Sequence, residues 1–581
     1  MILHSLNAYY GRLLAEGRIQ PPGLQEKEIP FVVELDAAGR FVALRRTGDG
    51  KRGKRFAVPY EVKRSGRNFI PNLLWDNPEY VFGVPKATAT EKQAAKVPAR
   101  HAAFRDRLAG LPDEVKADAG VAAVLRFLEA ADFDGLRAAE GWAGLIEAGA
   151  NVSFKLAGED GLVCERPAVR AAMAAEAASA ADAEASTWCL VTGRRAAPAL
   201  THPSVKGVRG AQSSGANIVS FNLDAFTSHG WKQGENAPVG EGVAAAYVAA
   251  LNHLLDRKNR THHLVEGDTT FAFWAAEKSP LETKFAHLLG GFGENEEAES
   301  DGTPVRSALD SVRTGLRPMV NDDTPFYVLG LAPNAARLAV RFWHAGTVGG
   351  MAKSILRHFD DLDVDGLAEM RHPPGLWALL GAASAGRDPK KLSDTLRGRL
   401  AADLTAAVLE GTPYPATLLA RTIARCRAEQ GVAPIRAALV KASLKRTTSK
   451  EVTVSLDPDN DNPGYLLGRL FAALEDVQRG AQGTNINVTI RDRYFGAAVA
   501  APLSVFVQLD KLKNAHLKKL KRINPGHAVN AEKLIAAITD RMRGDRSFPA
   551  SLKLEDQGFF ILGYHHQRND FFAKSNAAKE A

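Results

Sequence analysis

The sequence predicts an α+β protein, with a mixed strand and helix N-terminal region followed by a C-terminal all-α helical bundle. Short apolar runs separated by turn residues fill the first 90 residues, as at Phe31–Leu35 and 40–44. From about residue 350 onward apolar residues recur at helical spacing, as at Leu467, Leu470, Phe471 and Leu474. At 581 residues the chain is too long for one hydrophobic core.

Taken in order, the runs 31–35 and 40–44 flank Asp36-Ala37-Ala38-Gly39, the signature of a hairpin with glycine closing the turn. A basic turn follows at Lys51, Arg52, Gly53, Lys54 and Arg55. Residues 90–150 are Ala- and Leu-rich with helical periodicity, and 152–156 reads as the start of a second sheet. The Ala-rich stretch 169–185 predicts one solvent-covered helix. Val243, Tyr247, Leu251 and Leu254 mark an amphipathic helix ending near Asp256. The acidic segment 290–303 reads as a mobile linker, and 326–331 and 339–343 as ordered core. Further helices are expected around Val505, Leu509, Leu512 and Leu520, and around Ile535, Ile538 and Met542. The polar segment 447–463 separates the last bundle. The expected divisions are therefore 1–350, a helical connecting region 351–446, and the bundle 447–581.

A composition of 45% hydrophobic and 24% charged residues is that of an ordinary soluble domain protein. A formal charge of +8 favours a polyanionic partner. Cys164, Cys189 and Cys426 lie far apart, which fits a reducing compartment and argues against a disulfide framework or a zinc ribbon. The apolar run 497–509 is broken by Pro502 and is shorter than the roughly 20 residues a membrane span needs. A cytoplasmic protein is expected. Phosphate-loop, dinucleotide-binding, HExxH and GxSxG motifs are all missing from the sequence. No catalytic residue, metal or cofactor is therefore assigned, and the chain is expected not to be an enzyme.

The segment 205–231, VKGVRGAQSSGANIVSFNLDAFTSHGW, carries the most information. Gly207, Gly210 and Gly215 allow close backbone approach to a ligand, and Gln212, Ser213, Ser214 and Asn217 suit base edges. Lys206, Arg209 and Lys232 suit phosphates. An apolar, strand-like run is expected at 218–221. A second polar cluster places Arg64 and Arg67 before a proline-held turn displaying Asn68 and Asn72, with Phe69 and Trp75 as core anchors. The asparagines alternatively form Asx turns. In KLKNAHLKKLKR, Lys511, Lys518, Lys519 and Arg522 form a cationic face that can follow a phosphate backbone, or else a solvated helix face. Asp361, Asp363, Asp365 and Gly366 open like a calcium loop, but His372 stands where the closing glutamate belongs. An acidic site near Asp361–Asp365, with His358, is the basis of the alternative reading: a metal-dependent nuclease or crRNA-processing enzyme. Asp457, Asp459 and Asp461 form a second acidic turn.

The motifs NLLWDNPEYVFGV (72–84), KGVRGAQSSGANIVSFNLDAFTSHG (206–230), NAPVGE (236–241), YVLGLAPNAARLAVRFW (327–343) and GYLLGRLFAALEDVQ (464–478) occur here in one order. Together they resemble the large subunit of type I-C CRISPR surveillance complexes, or Cascade, almost from end to end. The resemblance implies a non-catalytic subunit that recognises the protospacer-adjacent motif in double-stranded DNA. It also implies that the subunit promotes unwinding and R-loop formation and helps recruit a helicase–nuclease. The implied partners are crRNA, target double-stranded DNA, Cascade backbone and foot subunits, and a free small subunit made from an internal start, with no membrane. The implied cell is prokaryotic. Motif reading falls first to the loop from Gly207 to Asn217 and second to Asn72 with Arg64, Arg67 and Asn68. The C-terminal bundle is implied to resemble the small subunit of other Cascades. In one respect the chain departs from the pattern: no methionine lies near 447–463, where Val452 or Val454 corresponds to a non-ATG start.

Overall fold

The computed structural model describes residues 2–20, 23–48, 52–61, 69–183, 187–290, 314–367, 374–448, 451–483, 487–542 and 548–580. The fold is α+β, with small sheets in the first 350 residues and helices after them. By packing, the chain divides into two units. The C-terminal unit takes Met1–Tyr9, Pro203–Val219 and Val248–Ala581; the N-terminal unit takes Tyr10–His202 and Ser220–Tyr247. These units do not follow the expected breaks at 350 and 446.

The N-terminal unit is built on strands β1 (Leu24–Glu28), β2 (Phe31–Leu35), β3 (Phe41–Arg46), β4 (Arg55–Pro59), β5 (Trp75–Asp76) and β6 (Val152–Leu156). β2 and β3 form the expected antiparallel hairpin. Its turn is closed by Asp36, whose Oδ1 accepts from the N–H groups of Ala38 and Arg40 at 2.9 and 2.8 Å. β6 pairs parallel to β2 and antiparallel to β5, so 152–156 extends the same sheet and does not begin a second one. Every residue of β2 is buried, as a strand covered on both faces must be. Its one charge, Glu34, pairs with Arg45 at 2.8 Å and lies 3.6 Å from Lys155. The helix Ala119–Ala130 packs on β2 and β6, starting at Asp118, whose carboxylate accepts from Gly120 N–H at 2.9 Å. The region expected as a basic turn after 51 contributes β4, which pairs with β1. The helix Pro167–Ala183 is not wholly solvent-covered, because Val169 and Met173 enter the core. Short strands β7 (Thr187–Trp188) and β8 (Arg195–Ala196) form a separate ribbon.

The C-terminal unit holds strands β9 (His263–Glu266), β10 (Thr269–Ala275), β11 (Pro325–Asn334) and β12 (Arg337–Thr347), antiparallel in the order β12-β11-β10-β9. One face of this sheet presents Phe271, Phe273, Phe326, Val328 and Phe342 to the helices that follow. Their core is continuous from Phe271 to Tyr564, so the connecting helices and the last bundle share one interior. Helices Pro463–Gln482 and Leu554–Glu580 meet backbone to backbone: a Cβ on Gly468 would stand 2.1 Å from the Phe560 carbonyl oxygen. The segment 447–463, expected as a separator, is held against this core. Val452 is buried, and Val454 accepts from Asp365 N–H at 3.1 Å. The acidic linker expected after Gly290 lies outside the described residues.

Candidate nucleic-acid interface

The loop 206–215 is closed at its base by a two-hydrogen-bond bridge between Val205 and Ala216, at 2.8 and 2.9 Å. Val205 and Ala216 are fully buried and Val208 nearly so, which anchors the loop at three points. Two neighbouring elements hold its backbone. Lys206 N–H donates to Asn252 Oδ1 at 2.7 Å on the helix Glu241–Leu254, and Arg209 N–H donates to Thr270 Oγ1 at 3.1 Å on β10. Just past the loop, Asn217 N–H donates to Ala336 O at 3.2 Å and Asn217 O accepts from Leu338 N–H at 2.9 Å. That parallel bridge fixes the loop beside the β11–β12 turn. The run 218–221 is not a strand; the extended pairing ends at Asn217, and 218–219 bend away.

The three glycines serve the loop's own packing. Gly207, Gly210 and Gly215 have φ of +89°, +78° and +99°, a region that L side chains rarely adopt. A Cβ on Gly207 would stand 2.8 Å from the Leu255 carbonyl oxygen, and one on Gly215 would stand 2.7 Å from Ser204 Cβ. Their missing side chains therefore let the loop close on its scaffold. This gives them a packing role that the sequence does not reveal. What remains outward is a short polar tip: Lys206, Arg209, Gln212, Ser213 and Ser214 are exposed. The side chains of Gln212, Ser213 and Ser214 make no hydrogen bond to the described residues. Beneath the tip, Glu266 on β9 lies near Arg209 and pairs with Arg397 at 3.0 Å; its pKa is raised because burial outweighs those cations.

Two expected readers fail on geometry. Asn217 is half-buried and its amide closes the loop, donating to Pro203 O at 3.2 Å and accepting from Ser204 Oγ at 3.5 Å. Asn72 is 2% exposed, with its N–H held by Asp76 Oδ2 at 2.9 Å. A side chain so enclosed cannot reach a base, and Asn72 belongs to the N-terminal core beside Trp75, which is fully buried as expected. Arg64, Arg67 and Asn68 lie outside the described residues. Lys232 is exposed but belongs to the N-terminal unit, whereas Lys206 and Arg209 belong to the C-terminal one. Asn252 and Thr270, which fix the loop, were not singled out in the sequence. The only signal was that Asn252 falls off the apolar stripe of its helix.

On the helix Pro502–Ile523, Val505, Phe506, Leu509, Leu517 and Leu520 are buried, and Lys511, Lys518, Lys519 and Arg522 are exposed. Lys513 and Lys521 are paired with Asp510 and Glu532 at 2.6 and 2.7 Å. The other four make no salt bridge to the described residues and remain available to an anion.

The acidic run 361–365 does not converge. Asp361 is 1% exposed and its carboxylate is occupied by Arg446 at 2.7 Å and Lys445 at 3.0 Å. Those cations, with their hydrogen bonds, hold its pKa below the usual value against the opposing effect of burial. His358 is hydrogen-bonded to the Tyr414 hydroxyl, and burial drives its pKa down to about 3. Among the described residues no group of three His, Cys, Asp or Glu side chains is placed to hold a metal ion. The geometry is that of a buried ion-pair cluster, which gives the nuclease alternative no support.

A family model described as CRISPR-associated protein (Cas_Csd1) matches residues 6–572, spanning both packing units and the whole pinned loop. The chain belongs to the Cas_Csd1 family. No curated protein matches it. For a Cas_Csd1 chain, a scaffold-held polar tip flanked by cations is a surface suited to nucleic acid. Among the described residues no helix is long and apolar enough to cross a membrane.

Proposed function

We propose that this Cas_Csd1 chain is the large subunit of a type I-C Cascade, a non-catalytic protein that works with crRNA and other Cas subunits on double-stranded DNA. Family membership supports an assembly with Cas proteins and nucleic acid. The pinned loop carries the finer reading: Gln212, Ser213 and Ser214 test the protospacer-adjacent motif, while Lys206 and Arg209 grip phosphate. A rigid mount matters because base readout requires hydrogen-bond geometry set before contact. Exposed Lys511, Lys518, Lys519 and Arg522 add sequence-independent attraction. Opening of the duplex then hands sequence reading to RNA–DNA pairing, and the assembled particle recruits a helicase–nuclease.

The test compares guide-loaded complexes containing wild-type or Gln212→Ala/Ser213→Ala/Ser214→Ala subunit. Loss of one good base contact costs about 1–3 kcal/mol, so motif-bearing duplex should bind roughly 5- to 150-fold more weakly. A target already opened and paired to the guide should bind as before. Equal loss on both substrates contradicts motif reading by the loop.

A further inference from the structure

Within the N-terminal unit, residues 222–236 form a loop braced almost wholly by its own polar groups. Asn236 accepts from Ser228 N–H at 2.8 Å and donates to the carbonyls of Trp231 at 3.2 Å and Gln233 at 2.9 Å. Glu235 accepts from Lys232 N–H at 2.8 Å, and Gly234 N–H reaches Leu200 O at 2.9 Å. His229 and Gln233 are held at φ of +54° and +45°, conformations that cost energy in a non-glycine residue. The result of this bracing is unusual: it leaves Trp231 50% exposed.

An indole is rarely left in water without a partner. Trp188, at 61% exposed, already has one, the Arg195 guanidinium 5.7 Å from its ring centroid. The residues that flank Trp231 in the chain are polar or glycine: Ser228, His229, Gly230, Lys232 and Gln233 are all exposed. Leu223, at 55% exposed, stands at the far end of the loop beside the exposed Asp224. Leu200, whose carbonyl accepts from Gly234 N–H, is also 50% exposed, but the residues next to the ring in the chain are a glycine and a lysine. A flat aromatic face with an adjacent lysine matches one nucleotide, the base on the ring and the phosphate on the cation.

We propose that Trp231 is a stacking post for a base of single-stranded nucleic acid, with Lys232 holding the neighbouring phosphate. This rests on the reading of the chain as a nucleic-acid-binding protein, but uses none of the residues of the motif-reading loop. The post is indifferent to base identity, because every base has a π face. It therefore fits an unpaired strand and not the motif itself.

The test uses the full-length chain and a short oligothymidine carrying one 2-aminopurine. Trp231→Ala should weaken binding at least about fivefold and abolish the change in 2-aminopurine emission, while Trp231→Phe retains most of both. Stacking releases no counterions, so Trp231→Ala should lower affinity without changing its salt slope, whereas Lys232→Ala should reduce the slope by about 0.7. Unchanged oligonucleotide affinity in Trp231→Ala overturns the stacking post while leaving the motif-reading loop untouched. Failure of the wild-type chain to bind the oligonucleotide at all also overturns the stacking post, whereas the motif-reading loop stands or falls on binding of motif-bearing duplex by the guide-loaded complex. Loss of assembly with other Cas subunits at unchanged oligonucleotide affinity assigns the indole to a protein interface and also overturns it.

Discussion

At Gly207 the backbone turns through a left-handed conformation with the Leu255 carbonyl 2.8 Å from where a Cβ would lie. Gly207→Ala adds a backbone cost of about 1–2 kcal/mol before that contact is counted. It should weaken motif-bearing duplex binding even though no side chain facing DNA is removed. A thermal scan should show the transition of the C-terminal unit falling by roughly 1–2 °C for each kcal/mol lost. Unaltered binding and unaltered melting together would contradict the role assigned to this glycine. The buried histidines make a second prediction. Burial lowers His358 and His566 to about 3 and His565 to about 4. Their folded values lie below 6.5, so as pH falls the unfolded chain binds protons first. The stability they contribute is complete above pH 6.5 and drains from there to about 3 for His358 and His566 and to about 4 for His565, by up to about 1.4 kcal/mol per pH unit for each histidine. Urea midpoints should drop between pH 7.5 and 5, and drop less in His566→Gln. A flat profile would contradict it.

Among elements, the hairpin β2–β3 was legible because its two signals are local: apolar runs of strand length and a turn at Asp36 and Gly39. The helix Pro502–Ile523 was legible too, since its buried leucines and exposed cations fall on different faces of one period. The run 218–221 was misread, because three apolar residues and a serine carry no record of where their backbone pairs. The partner of Asn217 lies 120 residues on, at Arg337. Asn72 failed for a related reason: the sequence shows a polar residue near arginines but not the enclosure around Asp76. For the cationic helix, Lys511→Ala/Lys518→Ala/Lys519→Ala should lower affinity for any duplex alike. If all three meet phosphate, the slope of log affinity against log salt should fall by roughly 2.7. An unchanged slope would return this face to solvent.

Over the whole molecule, the fold class and the family were readable from the sequence, whereas the packing units were not. The C-terminal unit joins 203–219 and the first residues of the chain to everything from Val248 onward. Such grouping is a property of long-range contacts, not of composition shifts, so the expected breaks at 350 and 446 missed it. The same holds for the site. For the segment 206–217 the sequence shows the glycines and the polar tip, but not the packing of Gly207 and Gly215 on the scaffold nor the anchors Asn252 and Thr270. The most direct measurement is photocrosslinking from Ser213→p-benzoylphenylalanine in a guide-loaded complex bound to motif-bearing duplex. Adducts at the motif base pairs, absent when the motif is scrambled, are predicted. Adducts confined to guide RNA or to neighbouring subunits would contradict the account.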